Sequence, residues 1–196
     1  MRKLLQILLF ASCAASPCFA QSQAKGQWQL FAGYSYMRAN VREYYKPSAS
    51  LYAVRNDFAN MNGWEVSITE NVKKWFGGTL DASGHYSSPQ IGAISTSEQV
   101  YSILYGPHFF HQGKRWRPFG HVLLGISYVS SEVSSPGPSI SNTSFAVLPG
   151  GGLDMKFFSR GSIRLFQADY VHANLEGSSQ NHLRASAGVV FDLTKK

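Results

Sequence analysis

Cysteine is nearly absent: this chain of 196 residues has two, Cys13 and Cys18, both in the N-terminal segment 1–20. If that segment is removed, nothing remains to form a disulfide, a thiolate metal site or a cysteine nucleophile. Charge is scarce as well, at 15% of residues, with 11 Asp and Glu against 18 Lys and Arg. That is low for a surface that must meet water everywhere. Long apolar runs are missing: a membrane-spanning helix needs about 18 consecutive apolar residues, and no segment approaches that. Nor does any segment of the body of the chain hold a helical apolar period over three turns, which removes helix bundles.

What is present starts with "MRKLLQILLFASCAASPCFAQ". Arg2 and Lys3 form a basic start, Leu4 to Phe10 an apolar stretch, and Cys18-Phe19-Ala20 sets small residues at the two positions a signal peptidase inspects. We expect a signal peptide over 1–20, cleaved after Ala20, and one domain over 21–196. Cys13 after Ala11-Ser12 offers a lipoprotein alternative, which Phe10 and the run that follows disfavour. The 18 basic residues less Arg2 and Lys3 leave 16 against 11 acids. Such an excess fits nucleic acid or an anionic membrane, and export favours the membrane.

Alternation of period two recurs throughout. In the closing stretch "NHLRASAGVVFDLTKK", Leu183, Ala185, Ala187, Val189, Phe191 and Leu193 share one face, and Arg184, Ser186, Gly188, Val190 and Asp192 share the other. Eight such strands are expected, over 27–37, 63–71, 74–86, 99–111, 116–130, 143–157, 162–173 and 182–193. Their links alternate between long polar loops (38–61, 87–98, 131–142, 174–181) and tight turns at Val72-Lys73, Gln112-Gly113-Lys114 and Ser159-Arg160-Gly161. Long then short, repeated, is the pattern of an up-and-down meander whose two ends face different compartments. About eleven residues at roughly 3.3 Å each, tilted by about 40–45°, span about 25–28 Å, the height of a lipid-facing band.

The polar faces carry small residues rather than Lys and Glu. Gly33 and Ser35, Ser67 and Thr69, Gly125 and Ser127, and Ser186 and Gly188 would line a narrow interior. The opposite faces carry aromatics at their ends. Tyr36, Trp64, Tyr86, Tyr101, Tyr128, Phe145 and Tyr170 fall near one rim, and Trp28, Phe76, Phe109, Trp116, Phe157 and Phe191 near the other. Lipid interfaces select such belts, because amphipathic rings settle at headgroup depth. Pro107 and Pro149 fall within strands, and bulges are expected there, beside Gly106 and Gly150.

Through "LFAGYSY", "GWEVSITENVKKWFGGTLDASGHY", "PFGHVLLGISY", "RLFQADYVH" and "AGVVFDL" the chain resembles the small eight-stranded outer-membrane β-barrels, such as the OmpA transmembrane domain and OmpX. The likeness spans essentially all of 21–196. It implies an all-β fold, an eight-stranded antiparallel up-and-down transmembrane barrel in the outer membrane of a Gram-negative-type bacterium. Members usually end on an aromatic that assembly machinery reads, whereas here Phe191 is followed by Asp-Leu-Thr-Lys-Lys. The peptidoglycan-binding domain of full OmpA proteins is not expected.

Strand parity turns Glu65, Asp81, Asp154, Asp169 and Arg184 inward, with His85, His108 and His121. Eight strands leave an interior just wide enough for side chains, so these residues are expected to form a polar plug, with Asp169 and Arg184 as its leading pair. No catalytic, cofactor or metal residue is assigned. His108 and His111, three apart, fall on opposite faces of a strand and cannot chelate one ion. "LPGGGLD" and "HQGKR" lack phosphate-loop spacing and read as strand and turn. A lipid A-modifying enzyme would need a serine two residues beyond His172, where Asn174 stands. The expected function is a structural and surface-interaction barrel, with a narrow OmpA-like channel as the alternative and a lipid A enzyme third. Expected partners are outer-membrane lipids and an extracellular ligand at the loops, with no nucleic acid and no cofactor, for a monomer.

Overall fold

A strand that alternates Leu183, Arg184, Ala185, Ser186 must pair its backbone on both edges and separate two environments. The computed structural model does both by closing the sheet on itself. It describes residues 27–48, 51–88, 90–91, 94–133, 139–175 and 178–194; the expected signal peptide lies outside the described residues. The strands are β1 (Gln27–Ser48), β2 (Leu51–Asn71), β3 (Phe76–Ser87), β4 (Gln90–Ile91), β5 (Ile94–Phe110), β6 (Trp116–Val133), β7 (Ser139–Phe158), β8 (Gly161–Leu175) and β9 (Ser178–Asp192). β4 is a two-residue strand paired with β5 alone. The other eight are antiparallel staves, and the β1–β9 and β3–β5 ladders complete the ring. The fold is an eight-stranded antiparallel up-and-down barrel, with no helix among the described residues.

Two expectations are corrected. The segment expected as a 24-residue loop, 38–61, is mostly ladder: pairing continues from Arg38↔Asn60 to Ser48↔Leu51, with one irregularity between Tyr45 and Ser48. Its Val and Tyr content suits strands, and a continued hairpin satisfies backbone groups that a loop would leave to water. The other three long links shorten likewise, since β5 starts at Ile94, β6 runs to Val133, β7 starts at Ser139, and only two residues separate β8 from β9.

The second correction concerns the prolines, which sit in unbroken register. Pro107 pairs with Gly78, while the β6 side resumes from Tyr105↔Leu124 to His108↔His121 without a shift. Pro149 pairs with Val122, and the β8 side resumes from Val147↔His172 to Gly150↔Asp169. A residue in an antiparallel ladder directs its N–H to one neighbour only, so a proline forfeits bonds on one side and leaves the other intact.

A bulge does occur, in β8. Leu153↔Phe166 is followed by Asp154↔Arg164, and Arg164↔Gly188 by Gln167↔Ser186, leaving Leu165 as the extra residue. Leu165 and Phe166 are both exposed on the outer wall, while Arg164 and Gln167 both point in and are buried.

The interior is not polar throughout. Met37, Met61, Val100, Ala146 and Val171, level with the aromatics nearest the long hairpins, form one apolar cluster with Leu104, Leu123 and Leu148 on the wall made by β5, β6 and β7. The expected polar network shares the rest of the lumen with Phe31, Phe110, Phe119 and Val190, which are also buried.

Candidate functional site: the lumen network

The six network residues expected from parity are buried: Glu65 and Asp81 are 1% exposed, Arg184 2%, Asp154 and Asp169 3%, and His121 5%. β2, β3, β6, β7, β8 and β9 each contribute, because every inward position on a barrel this narrow faces the same axis. His85 and His108 are buried beside them.

Arg184 is the hub. Its Nε donates to Asp169 Oδ2 at 2.9 Å, and its Nη1 donates to Asp81 Oδ1 at 2.9 Å and to Ser83 Oγ at 3.1 Å. Glu65 Oε2 lies 3.6 Å from Nε. Asp169 and Arg184 are register partners, as expected, yet Arg184 serves three carboxylates and not one. Asp169 is also held by His121 Nε2 at 2.9 Å and by Gln167 Nε2 at 2.7 Å, and Gln167 Nε2 reaches Glu65 Oε1 at 2.9 Å. The space for Asp169 comes from Gly150, where a Cβ would overlap the carboxylate.

A hydroxyl chain continues from Glu65. Ser186 Oγ lies 2.6 Å from Glu65 Oε2 and 2.9 Å from Ser35 Oγ, which lies 2.8 Å from His85 Nε2. One hydroxyl carries one proton, and the carboxylate can only accept. Ser186 therefore donates to Glu65, Ser35 to Ser186, and His85 Nε2–H to Ser35. His85 Nδ1, which has no partner, is then the bare acceptor nitrogen of that tautomer. Ser35 and His85 are 0% exposed, so this serine–histidine contact has no face on which a substrate could sit.

Sequence reading missed three members. Arg164 binds Asp154 through Nε to Oδ1 at 2.8 Å and Nη2 to Oδ2 at 3.3 Å, and donates from Nη1 to Gln167 Oε1 at 2.6 Å. Its guanidinium lies 4.2 Å from the ring centroids of both Phe31 and Phe119. The bulge at Leu165 hid it, since regular alternation from Asp169 turns residue 164 outward. Gln167, two residues before Asp169, shares its parity and could have been found. So could Arg117, two turns of the pleat before His121; it donates to Gln29 Oε1 and to Asn71 Oδ1 (2.9 Å for the latter) and lies 4.0 Å over Phe110.

The outer wall carries the aromatics. Trp28, Trp64, Tyr86, Phe109, Trp116, Tyr128, Phe145, Phe157, Tyr170 and Phe191 are exposed, and Tyr36, Phe76 and Tyr101 half-exposed. Leu80, Ile103, Val122, Leu124 and Ile126 are exposed between the two sets. His172 also faces outward, its Nδ1 2.8 Å from Asn181 Oδ1, with Asn174 at the position a lipid A-type serine would need. "LPGGGLD" lies within β7 and "HQGKR" in the turn before β6. Among the described residues, no group of three or more ligating side chains could hold a metal.

No protein-family model and no curated protein matches the chain. Solved structures do. Neisserial surface protein A matches with a TM-score of 0.59 at 13% identity, over 85% of this chain and 97% of its own. Ail, the attachment invasion locus protein of Yersinia pestis, crystallised with the heparin analogue sucrose octasulfate, matches at 0.56 and 20% identity, over 85% and 99%. The outer membrane protein OprG from Pseudomonas aeruginosa matches at 0.55 and 11%, over 87% and 97%. At these identities the likeness is one of fold, and that fold is the small outer-membrane barrel.

Proposed function

We propose that this chain is an outer-membrane β-barrel of a Gram-negative-type envelope, with a structural and surface-interaction role and no enzymatic activity. In this reading residues 1–20 direct export, and the barrel stands as a monomer among outer-membrane lipids. One observation carries the membrane placement: an outer wall of exposed Leu, Ile and Val, flanked at both ends by exposed aromatics, surrounds an interior that already has its own core. In water that wall would be an apolar patch far larger than soluble proteins tolerate. In a bilayer it is the anchor.

The filled lumen favours a rigid stave over a conduit. Arg184, Leu104, Leu123 and Leu148 are each at most 2% exposed, so the narrow OmpA-like channel has no wet path in this packing. The surface role rests on the long end, where the β1–β2 ladder runs on to Ser48↔Leu51. A barrel of the same fold, Ail, carries an attachment name and was crystallised with a heparin analogue, which supports a surface ligand for this fold. Heat-modifiability tests the placement: the unboiled protein from the outer-membrane fraction should migrate faster than the boiled one. A chain found only in the soluble fraction, without that shift, rejects the reading. Steady single-channel conductance in a planar bilayer would move the assignment to the channel, and altered lipid A in a deletion strain to the enzyme.

A further inference from the structure

Beyond Arg164 and its two rings, the short-turn end of the lumen opens into a cavity of about 440 Å³. Arg115, Arg117, Lys156 and Arg160 line it, against the single carboxylate of Asp192. Asp192 is already engaged, accepting from Gln29 Nε2 at 2.6 Å. None of the four cations belongs to an ion pair among the described residues. Four basic groups around one cup repel each other unless an anion sits between them.

Basic turns often do no more than keep a barrel end hydrated, and Arg115, Lys156 and Arg160, all exposed, could be no more than that. Arg117 is different. It stands on β6 facing the lumen, fixed by the carbonyl oxygens of Gln29 and Asn71 and by the face of Phe110 at 4.0 Å. Its partners are neutral, and its buried Nε has no partner at all. Asp154 is the register partner of both Arg117 and Arg164 but bonds Arg164 alone. Arg117 is thus a guanidinium held in place with no bonded counterion, Asp154 and Asp192 acting on it only at longer range, at the wall of a cup that collects three more cations.

We propose that this cup binds a phosphate-bearing anion, either the headgroup of an anionic phospholipid in the adjoining leaflet or a small soluble phosphate compound. Phosphate suits it because a pre-set guanidinium fork and several point charges can share its free oxygens, two carrying one charge in a phosphodiester headgroup and three carrying close to two in a phosphate monoester. The plugged lumen beyond makes it a terminal cup with no transit behind it. The binding chemistry stands on the side chains alone; only the two sources rest on the membrane reading.

The test uses the full chain folded in detergent micelles and titrated with inorganic pyrophosphate by calorimetry. Saturable binding is expected, weakening steeply with salt. Arg117→Gln should weaken it by about tenfold or more, as loss of a charge-assisted contact requires. Lys114→Gln, on the same turn but outside the cavity, should weaken it by less than about threefold, through screened surface charge alone. Absence of saturable binding, or equal losses in the two variants, overturns the proposal. If Arg117→Gln loses its heat-modifiable band, the exposed pair Arg115→Gln/Arg160→Gln takes its place with the same expectation. Repeating the titration in phosphatidylglycerol and phosphatidylcholine nanodiscs separates the sources. Competition by phosphatidylglycerol assigns the headgroup, and undiminished pyrophosphate binding assigns a soluble anion. A protein that shows the folded band but does not bind refutes the cup; a protein that shows no band refutes the membrane reading instead.

Discussion

Replacing Arg184 with methionine removes the one cation that three carboxylates share. The side chain is 2% exposed, so neither water nor a neighbour replaces it. Breaking a buried ion pair by deleting one partner costs about 3–5 kcal/mol. With Asp81, Asp169 and Glu65 all left behind, the upper part of that range, about 4–5 kcal/mol, is expected. The three do not depend on Arg184 equally. Asp169 keeps His121 and Gln167 as donors, and Glu65 keeps Gln167 and Ser186. Asp81 takes its hydrogen bonds from Arg184 Nη1 at 2.9 Å and Nη2 at 3.4 Å. The carboxyl left without a donor is therefore mainly that of Asp81, although Asp169 is the register partner. Arg184→Met/Asp81→Asn should recover about 2 kcal/mol of the loss, and Arg184→Met/Asp169→Asn less than about 1 kcal/mol. Urea titration in phospholipid vesicles, read by the folded and unfolded gel bands, measures all four proteins. Rescue by Asp169→Asn equal to or greater than that by Asp81→Asn, or strictly additive effects in both cycles, would refute this ordering.

Leu80→Arg, on the outer wall between Phe76 and Tyr86, should destabilise the barrel by about 2–4 kcal/mol in vesicles, and a loss below about 0.5 kcal/mol would place that wall in water. Leu123→Ala, at a side chain with 0% exposure, should cost about 2–5 kcal/mol in the same titration without creating conductance, because the hole is apolar and dry. Orientation is read by cysteines labelled with a membrane-impermeant maleimide. Ser50→Cys and Ser135→Cys, in stretches expected from the sequence as long loops and outside the described residues, should label on intact cells, and Gly113→Cys only after the outer membrane is breached.

Most of the barrel was legible because lipid and lumen impose opposite demands on neighbouring positions. Leu183 is 60% exposed and Arg184 2%, the split that their alternation implies. The belts were legible for the same reason, since aromatics at Trp28 and Tyr36 or at Trp116 and Tyr128 share parity within a strand. Polarity outside the bilayer is a poor guide to strand ends, which is why 38–61 read as a loop: its backbone still prefers a ladder, whatever its side chains meet. The apolar cluster was hidden by emphasis on polar inward positions, although Met37 and Leu123 obey the parity of Ser35 and His121. Partner choice within the network was legible only for Asp169 and Arg184; the claims of Asp81 and Glu65 on Arg184 were not. Which carboxylate Arg184 serves depends on stagger around the ring, and stagger is a property of all eight staves.

The bulge in β8 is where alternation fails, and it makes a specific demand on chain length. Counting back from Asp169, a regular strand would set Leu165 in the lumen and Arg164 against lipid, where an arginine costs up to about 2–4 kcal/mol. One extra residue reverses this: Leu165 and Phe166 both meet the outside, and Arg164 reaches Asp154. Deleting Leu165 should therefore be tolerated. Arg164, Phe166 and Gln167 would then follow one another as in, out, in, opposite Gly188, Ala187 and Ser186 of β9, with Arg164 still at Asp154. The expected loss is no more than about 2 kcal/mol, for the lost contacts of one exposed leucine and a change in local twist. Deleting Ala168, another exposed residue three positions on, leaves Gln167 next to Asp169 and so forces either Gln167 outward or Phe166 inward. That protein should show no heat-modifiable folded band. If the two deletions fold equally well, or if only the Ala168 deletion folds, the bulge is not what brings Arg164 into the lumen.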